Sequence, residues 1–333
     1  MTTSFIQRRL KAKITLGVTK FRDGSNVMVL DGFRMSADIT KPKGQVDSAT
    51  ITIFGLHPDN MNAILTIGGQ IAGMDAGIQR NKIELFVVDI YGNEKCIYSG
   101  EIFNALVDYN NAPNVPINIA SNSMAVVNDG GSNTPDSKDP SKEKLDGFSL
   151  KGSKTVTEIV QEAVNRYNAV HTDEKIVLKS NLPTNIAQTD YSFAGGSLKD
   201  VLDSVKKGNN IEWSIDTANH ELLLNAPNTP RTDTEVIELS RENGLIGYPV
   251  LTQIGCNIKA IYSPYYQVNA EVLVKSMTVR FFGKESKGDG KEELKYTLEQ
   301  KQFQIEHLVH RVSSMMPSGP WETEFYLTQA FNK

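Results

Sequence analysis

A period of two in hydrophobicity is clearest at residues 48–56, which read Ser48-Ala49-Thr50-Ile51-Thr52-Ile53-Phe54-Gly55-Leu56. Small polar residues alternate there with Ile and Phe, which is typical of a strand with one buried face. The same period runs through residues 13–123, where further strands are predicted at 82–90 and 96–110. Residues 58–65 interrupt it and are expected to form a helical turn. Strands at this spacing, separated by Gly, Asn and Pro, indicate an antiparallel sandwich or barrel.

Residues 128–146 have a different character, since they are rich in Gly, Ser, Asp and Pro and almost free of apolar side chains. They are expected to form an exposed linker. A helical pattern follows, in which Thr155 and Glu158 fit a capping box and apolar residues then recur at helical spacing up to Tyr167. A second helix begins in the same way at Ser197 and is followed by two strands. This segment is therefore predicted to be a small α+β module with its own core.

The period of two returns from residue 234 to the C-terminus, with strands expected at 250–261, 268–274, 275–282, 302–312 and 322–328 and a hairpin tip at 284–291. The chain is thus predicted to be α+β and mostly β, with two antiparallel β-barrel domains flanking a small α+β insert domain. The predicted boundaries give an N-terminal barrel in 1–127, a polar linker in 128–147, the insert in 148–228 and a C-terminal barrel in 229–333.

The charge balance limits the classes of partner. Among 333 residues, 35 are basic and 39 acidic, which gives a net charge of −4. General nucleic-acid binders draw affinity from neutralising phosphates with Lys and Arg, and polybasic membrane-surface proteins need a similar excess. The charge balance argues against both classes. It is compatible with a protein that lines a path for DNA without binding the DNA.

Processing and redox signals are few. The basic N-terminal residues are not followed by an apolar segment, so no secretory signal is expected, and no apolar stretch approaches the ~18 residues of a membrane-spanning helix. The two cysteines, Cys96 and Cys256, lie far apart in strand-like contexts. We therefore expect reduced thiols, no membrane anchor and folding in a reducing cytoplasm.

Candidate chemical motifs have structural explanations. His307 and His310 resemble a metal pair, but on a strand positions three apart point to opposite faces. The Gly195-Gly196-Ser197 turn precedes a helix but lacks the Lys of a phosphate loop. No nucleophile-elbow pattern occurs, and acidic pairs such as Glu292-Glu293 lie in charged runs typical of solvated faces. The sequence therefore predicts no catalytic, metal or cofactor site and no enzymatic activity.

The aromatic residues leave one alternative open. Trp213 and Trp321, the only tryptophans, lie in strand-like contexts that favour packing over a sugar platform. Tyr262, Tyr265 and Tyr266 surround Pro264. Such a turn is either an interface anchor or an ordinary loop packed on the end of a barrel.

Two stretches carry a resemblance to a known family: residues 189–215, which include both the second helix and Trp213, and residues 310–327 at the end of the chain. Together with the order of the domains, they resemble the baseplate hub proteins of contractile-tailed bacteriophages, the late-control or tail-hub family, and the hubs of phage-tail-like injection systems. The family-signature residues are structural rather than catalytic: Tyr191, Phe193, Gly195, Gly196, Ser197, Leu198, Trp213, His310, Gly319, Trp321 and Thr323.

The resemblance implies a homotrimer in which two barrels per subunit form a pseudo-six-fold ring. Such a hub joins the tail tube to the central spike and lets DNA pass, without specific binding, after the spike is released. The implied partners are further copies of the chain, the spike protein, a tail-tube or tube-initiator protein, and the tape-measure and wedge proteins. The implied location is the tail baseplate of a virion assembled in the host cytoplasm, with no cofactor.

Two other function classes serve as alternatives. A carbohydrate- or cell-wall-binding module at a tail tip would present exposed aromatic residues along a shallow face. A peptidoglycan hydrolase would need a cleft with converging carboxylates or a metal.

Overall fold

The computed structural model describes residues 9–17, 19–65, 81–89, 91–123, 145–170, 175–183, 185–227, 229–286, 292–316 and 318–329. Most of the predicted linker, residues 128–144, therefore lies outside the described residues, as does most of the predicted hairpin tip.

The N-terminal part is built almost entirely from strands. Its elements are β1 (Leu10–Thr15), β2 (Val27–Asp31), β3 (Met35–Pro42), β4 (Ser48–Phe54), α1 (Pro58–Leu65), β5 (Lys82–Val88), β6 (Glu94–Val107), a 3₁₀ turn (Tyr109–Asn111) and β7 (Pro116–Asn122). Buried and part-buried residues alternate along β1 and β4, as the period of two predicts. The predicted helical turn at 58–65 is correct.

The insert contains the other two helices of the described residues. Its elements are β8 (Leu145–Thr155), α2 (Val156–Val170), β9 (Val177–Ser180), β10 (Ala187–Gly196), α3 (Leu198–Gly208), β11 (Glu212–Asp216) and β12 (Glu221–Asn225). Strands β8 and β10 form a two-stranded antiparallel sheet. Strands β11, β12 and β9 form a three-stranded sheet in which β9 runs parallel to β12. The two helices lie against each other and bury an apolar core that includes Trp213.

The C-terminal part returns to strands. Its elements are β13 (Ile237–Leu239), β14 (Leu245–Leu251), β15 (Gly255–Ile261), β16 (Glu271–Lys275), β17 (Phe281–Ser286), β18 (Glu292–Leu298), β19 (Gln300–Ser314) and β20 (Trp321–Gln329). Strands β17 and β18 form a separate hairpin.

One long strand joins the N-terminal and C-terminal parts. Along one edge, β19 pairs with β16 through residues 300–304 and then with β3 through residues 307–314, while β20 pairs along its other edge. The resulting sheet has 13 strands, and its main path is β14-β15-β20-β19-β3-β4-β7-β6-β5-β1-β2. The chain is therefore mostly β with α+β character. No closed barrel is found among the described strands, and the two-barrel arrangement stays a prediction.

Three apolar cores accompany these parts. The N-terminal core also receives Tyr262, Val312 and Trp321 from the C-terminal part, so the last strands serve both halves of the sheet. The insert and the C-terminal part each have a further core. The boundaries drawn from the sequence at 127, 147 and 228 stay predictions.

Several strand predictions are wrong in detail. Residues 250–261 form the end of β14, a turn and β15, because Thr252 bonds back to Gly255 through its backbone and its hydroxyl. The strand expected at 275–282 breaks at Ser276, whose hydroxyl accepts from the backbone N–H groups of Thr278 and Val279. Strand β8 begins at Leu145, so the last three residues of the predicted linker belong to a strand.

Candidate functional site

The tip of the β3–β4 hairpin meets the insert through buried charges. Lys41, at the end of β3, is 8% exposed, and its Nζ lies 3.5 Å from Asp216 Oδ2 and 4.0 Å from Asp47 Oδ2. Asp47 is 4% exposed and belongs to the hairpin itself, whereas Asp216 ends β11 of the insert. We call these three residues the buried ion cluster.

A second ion pair group lies at the hairpin tip. Lys43 Nζ lies 2.5 Å from Glu212 Oε2 of β11 and 3.4 Å from Glu306 Oε2 of β19. The backbone N–H of Lys43 also donates to the Glu306 carbonyl. The hairpin tip therefore holds the N-terminal sheet, the insert and the C-terminal part together at one place.

The alternation of β11 explains how the insert supplies both carboxylates. Trp213 and Ile215 point into the apolar core of the insert, while Glu212 and Asp216 point out of it toward the lysines. The turn after β11 holds Asp216 in place, since its carboxylate accepts from the backbone N–H groups of Ala218 and Asn219.

Burial and mutual charge set the protonation of the buried ion cluster. Burial raises the pKa of the Asp47 carboxyl to about 8. The nearby Asp216 carboxylate raises this pKa further, and the Lys41 cation lowers it. For Lys41, burial favours the neutral amine, but Asp216 and Asp47 outweigh it and the pKa is raised. For Asp216, burial also opposes charge, but Lys41 and Asn219 outweigh it and the pKa is lowered. At neutral pH the cluster therefore holds one cation, one carboxylate and a protonated Asp47.

The first group of family-signature residues lies in the insert. Tyr191 and Phe193 of β10 contact Phe148, and Leu198 and Trp213 are each 1% exposed in the same core. Their role is to pack the insert.

The glycines and serine of this group begin α3. Gly195 and Gly196 have φ values of 110° and 153°, and a Cβ on Gly196 would lie 2.7 Å from Asp200 Oδ2. Ser197 is the N-cap: its Oγ accepts from the Asp200 backbone N–H at 3.1 Å, and Asp200 accepts from the Ser197 backbone N–H at 2.8 Å. The reciprocal bonds confirm the predicted capping box.

The second group lies beside the buried ion cluster. The ring of Tyr262 makes edge contacts with both His310 and Trp321, each with centroids 5.2 Å apart, and His310 Nδ1 lies 2.9 Å from Thr323 Oγ1. Gly319 lies in the turn before β20, where a side chain would collide with Ser313. These residues fasten β19 to β20 at the point where β19 pairs with β3.

His310 is a neutral packing residue. Burial lowers the pKa of its imidazole to about 3, and the Lys41 cation adds to the lowering. His307, on the other face of β19, stacks on Tyr326 with centroids 4.8 Å apart. The prediction that the two histidines lie on a strand and face apart is thus correct.

Three further features of the described ranges concern metal ligands, cysteine thiols and membrane-spanning helices. No group of three His, Cys, Asp or Glu side chains there could hold a metal ion. Cys96 and Cys256 are free, and burial raises the pKa of both thiols. No helix in the part of the chain that the structure describes is long and apolar enough to cross a membrane.

The aromatic turn around Pro264 divides its tyrosines between core and surface. Tyr262 is buried and Tyr266 packs edge-on against Phe325, whereas Tyr265 is exposed with the Lys95 ammonium 4.0 Å above its ring. Most of this turn is therefore packed on the sheet.

The buried ion cluster was missed in the sequence, although one signal for it exists. Met35, Ala37 and Ile39 of β3 are buried in alternation, and Lys41 occupies the next inward position. A charged residue at an inward position requires a buried partner. Its partner Asp216 lies 175 positions away, which no local pattern reveals.

The solved structures that are similar to this chain include two tail proteins. The tail protein from Neisseria meningitidis MC58 aligns with a TM-score of 0.51 at 11% identity, covering 96% of this chain and 96% of that protein. The 43 kDa tail protein of prophage MuSo2 from Shewanella oneidensis aligns with a TM-score of 0.51 at 10% identity, covering 96% of this chain and 97% of that protein. No family model and no curated protein matches the sequence. The chain has the fold of these phage tail proteins, which confirms the predicted resemblance at the level of the fold.

Proposed function

We propose that the chain is a structural baseplate hub at the centre of a contractile phage tail. The observation that carries the proposal is the alignment with two tail proteins over 96% of this chain, which includes the sheet, the insert and their order. The family-signature residues agree with it, because they pack the insert and fasten β19 to β20 rather than line a polar cleft.

In this proposal, three chains form a ring. Each chain supplies two β-barrel domains, so that six barrels match a six-fold tail tube on one side while three subunits match a three-fold spike on the other. The pairing of β3 with β19 supports it, because a continuous sheet holds the two β domains of one subunit in a fixed relation. Tape-measure and wedge proteins would be further partners of the hub, and the assembled hub belongs to the virion.

We further propose that DNA passes the hub without specific binding. The outward side chains of neighbouring strands support this, because their cations are paired with carboxylates. Glu324 Oε1 lies 2.8 Å from Arg311 Nη1 and 2.7 Å from Lys259 Nζ. Cations neutralised in this way contribute little to phosphate binding.

The first test is the mass of the purified chain in solution, by light scattering on a size-exclusion column. We expect three copies of the 36.8 kDa chain, and six lobes around an open centre in negative-stain images. A chain that stays monomeric at high concentration, and that neither the cognate spike nor the cognate tube protein drives into a trimer, would contradict the proposal.

A second test addresses the hydrolase alternative. We propose that the chain has no enzymatic activity, so incubation with purified cell walls should leave their turbidity unchanged. Release of soluble muropeptides by the chain alone would overturn this part of the proposal, and an active lysozyme serves as the positive control.

A further inference from the structure

The hairpin of β14 and β15 presents an apolar surface at one end of the main sheet. Strand β14 pairs only with β15 among the described strands, so its outer edge is free. Tyr248, Val250, Leu251 and Ile254 are 71%, 61%, 48% and 67% exposed. Val250 and Leu251 are consecutive and point to opposite faces, so the end of β14 is exposed on both. We call these four residues with Ile246 the hairpin patch.

A second apolar surface lies at the end of β6. Strand β6 pairs with β5 through residues 94–101 and with β7 through residues 101–107. Beyond residue 102, its β5 side therefore has no strand partner in the described structure. Phe103, Leu106 and Tyr109 are 49%, 62% and 65% exposed there, and we call them the β6 patch.

Both patches lie in segments that are depleted of charge. Residues 244–258 contain no charged side chain, although 22% of the whole chain is charged. Residues 102–115 contain only Asp108, whose carboxylate is engaged with Asn110 and Asn111 in its own turn. The cores of protein interfaces are depleted of charge and enriched in Tyr and Phe in the same way.

The exposed apolar area of each patch is about half of what a stable interface buries per partner. With full side-chain surfaces of roughly 150–250 Å², the hairpin patch exposes on the order of 500 Å² and the β6 patch on the order of 400 Å². The largest patch on a typical monomer is about 300–600 Å², and a stable interface buries about 800 Å² per partner including its polar rim. One patch against the other therefore supplies an apolar centre for a contact, and the polar side chains around the two patches would have to supply the rest of the interface.

The two patches differ in structure and lie apart in the sheet, with six strands between β14 and β6 in the pairing order. A two-fold contact ends at two chains, whether it joins like patches or joins each patch to the other one. A head-to-tail contact uses both patches in every subunit and continues to a third chain, and it closes into a ring when the rotation between neighbouring chains closes, as the proposed hub requires.

We propose that the hairpin patch of one chain binds the β6 patch of a second copy, and that this contact repeats around a ring. The proposal rests on the hub function above and assigns the surfaces that build its trimer.

Three exposed tyrosines allow a matched test. Tyr248→Glu places a charge in the hairpin patch and Tyr109→Glu places one in the β6 patch. The control is Tyr91→Glu, in the turn between β5 and β6, where the side chain is 83% exposed. Light scattering over a range of concentrations should show wild-type association for the control and a loss of about tenfold or more in apparent affinity for each patch variant. Circular dichroism melts check that all variants are folded.

A mixing experiment then tests that the two patches bind each other, while the mass of the wild type distinguishes a two-chain contact from a ring. The Tyr248→Glu chain keeps an intact β6 patch and the Tyr109→Glu chain keeps an intact hairpin patch. Mixed in equal amounts at concentrations where each variant alone is monomeric, they should form a two-chain complex through one intact contact and no closed ring.

Three outcomes would overturn the inference. If only Tyr248→Glu loses association, the contact is two-fold through the hairpin patch. If neither variant loses it, association uses another surface. In both cases, a wild-type chain that forms a trimer would still support the proposed hub function. A wild type that stays monomeric on its own also overturns self-association through these patches, and the hub function is then decided by the mass in the presence of the cognate spike protein.

Discussion

The insert and the junction beneath it are held together by opposite means, although they share strand β11. Inside the insert, Trp213 and Ile215 enter a core made of aliphatic and aromatic side chains. On the other face of the same strand, Glu212 and Asp216 meet buried or nearly buried lysines. Apolar burial stabilises without directional preference, whereas a buried ion pair gains little net stability but is costly when one partner is missing. The insert therefore has an apolar core of its own, whereas its contact with the β3–β4 hairpin uses paired charges.

The largest effect is expected from the apolar side of this comparison. Replacing Trp213, which is 1% exposed, by Ala removes the largest fully buried side chain of the insert core. We expect the free energy of unfolding to fall by about 3–5 kcal/mol, measured by urea denaturation. The matched control is Val177→Ala, on an exposed position of the same small sheet, with an expected change within about 0.5 kcal/mol. A similar loss in both variants would mean that Trp213 is not the centre of the insert core.

The next effect tests the charged side with a double-mutant cycle. Asp216→Asn leaves the Lys41 cation without its carboxylate, and Lys41→Met leaves the Asp216 carboxylate without its cation. Each single variant should lose about 2–3 kcal/mol of unfolding free energy, less than the value for a fully buried pair because the Asp216 side chain is 18% exposed. The double variant should lose less than the sum of the two, since no buried charge is left unpaired. Strictly additive losses would show that the two groups do not depend on each other.

A pH dependence distinguishes the junction from the insert core. The pKa of Asp47 is about 8 in the folded chain and near 3.9 in the unfolded chain, so the folded chain binds the extra proton between these values. The contribution of Asp47 to the free energy of unfolding is therefore largest below the unfolded pKa. It decreases as the pH rises toward about 8, by up to about 1.4 kcal/mol per pH unit. His310 has the opposite slope, but only below its unfolded pKa of about 6.5.

Melting temperatures between pH 6.8 and 8 therefore report Asp47 with little contribution from His310. The wild type should lose stability over this interval more steeply than Asp47→Asn, whose amide has no proton to lose. Equal slopes in the two proteins would mean that Asp47 is ionised throughout.

The same comparison explains what the sequence could predict. Helices α2 and α3 were predicted with their caps because a capping box and a 3.6-residue period are local signals. The turn between β14 and β15 was missed, since Val250, Leu251 and Ile254 look like core residues although the structure exposes them. The buried ion cluster was missed because its cation and its carboxylate belong to parts of the chain that only the fold brings together.

The end of α3 shows the limit of local signals at smaller scale. A Gly at the end of a helical pattern, such as Gly208, is typical of a helix stop, but Gly208 is the last helical residue here and Asn209 is the cap. The backbone N–H and the side-chain amide of Asn209 both donate to the Val205 carbonyl. An Asn side chain that bonds to the backbone can end a helix as a Gly does, and the sequence does not decide between them.

The smallest expected effect separates local from tertiary stability within the insert. Ser197→Ala removes the hydroxyl that accepts from the Asp200 backbone N–H at the start of α3, and we expect a loss of about 1 kcal/mol in urea denaturation. Thr155→Ala is the matched variant at the start of α2, where Thr155 and Glu158 make the same reciprocal bonds. Ser197 is 6% exposed, whereas the bonds of Thr155 are exposed to solvent. The loss should therefore be larger for Ser197, because water reaches its buried position poorly, whereas water can replace the exposed hydroxyl of Thr155. Equal losses would show that the two caps act only on their own helices, and that burial of the cap adds nothing to the stability of the insert.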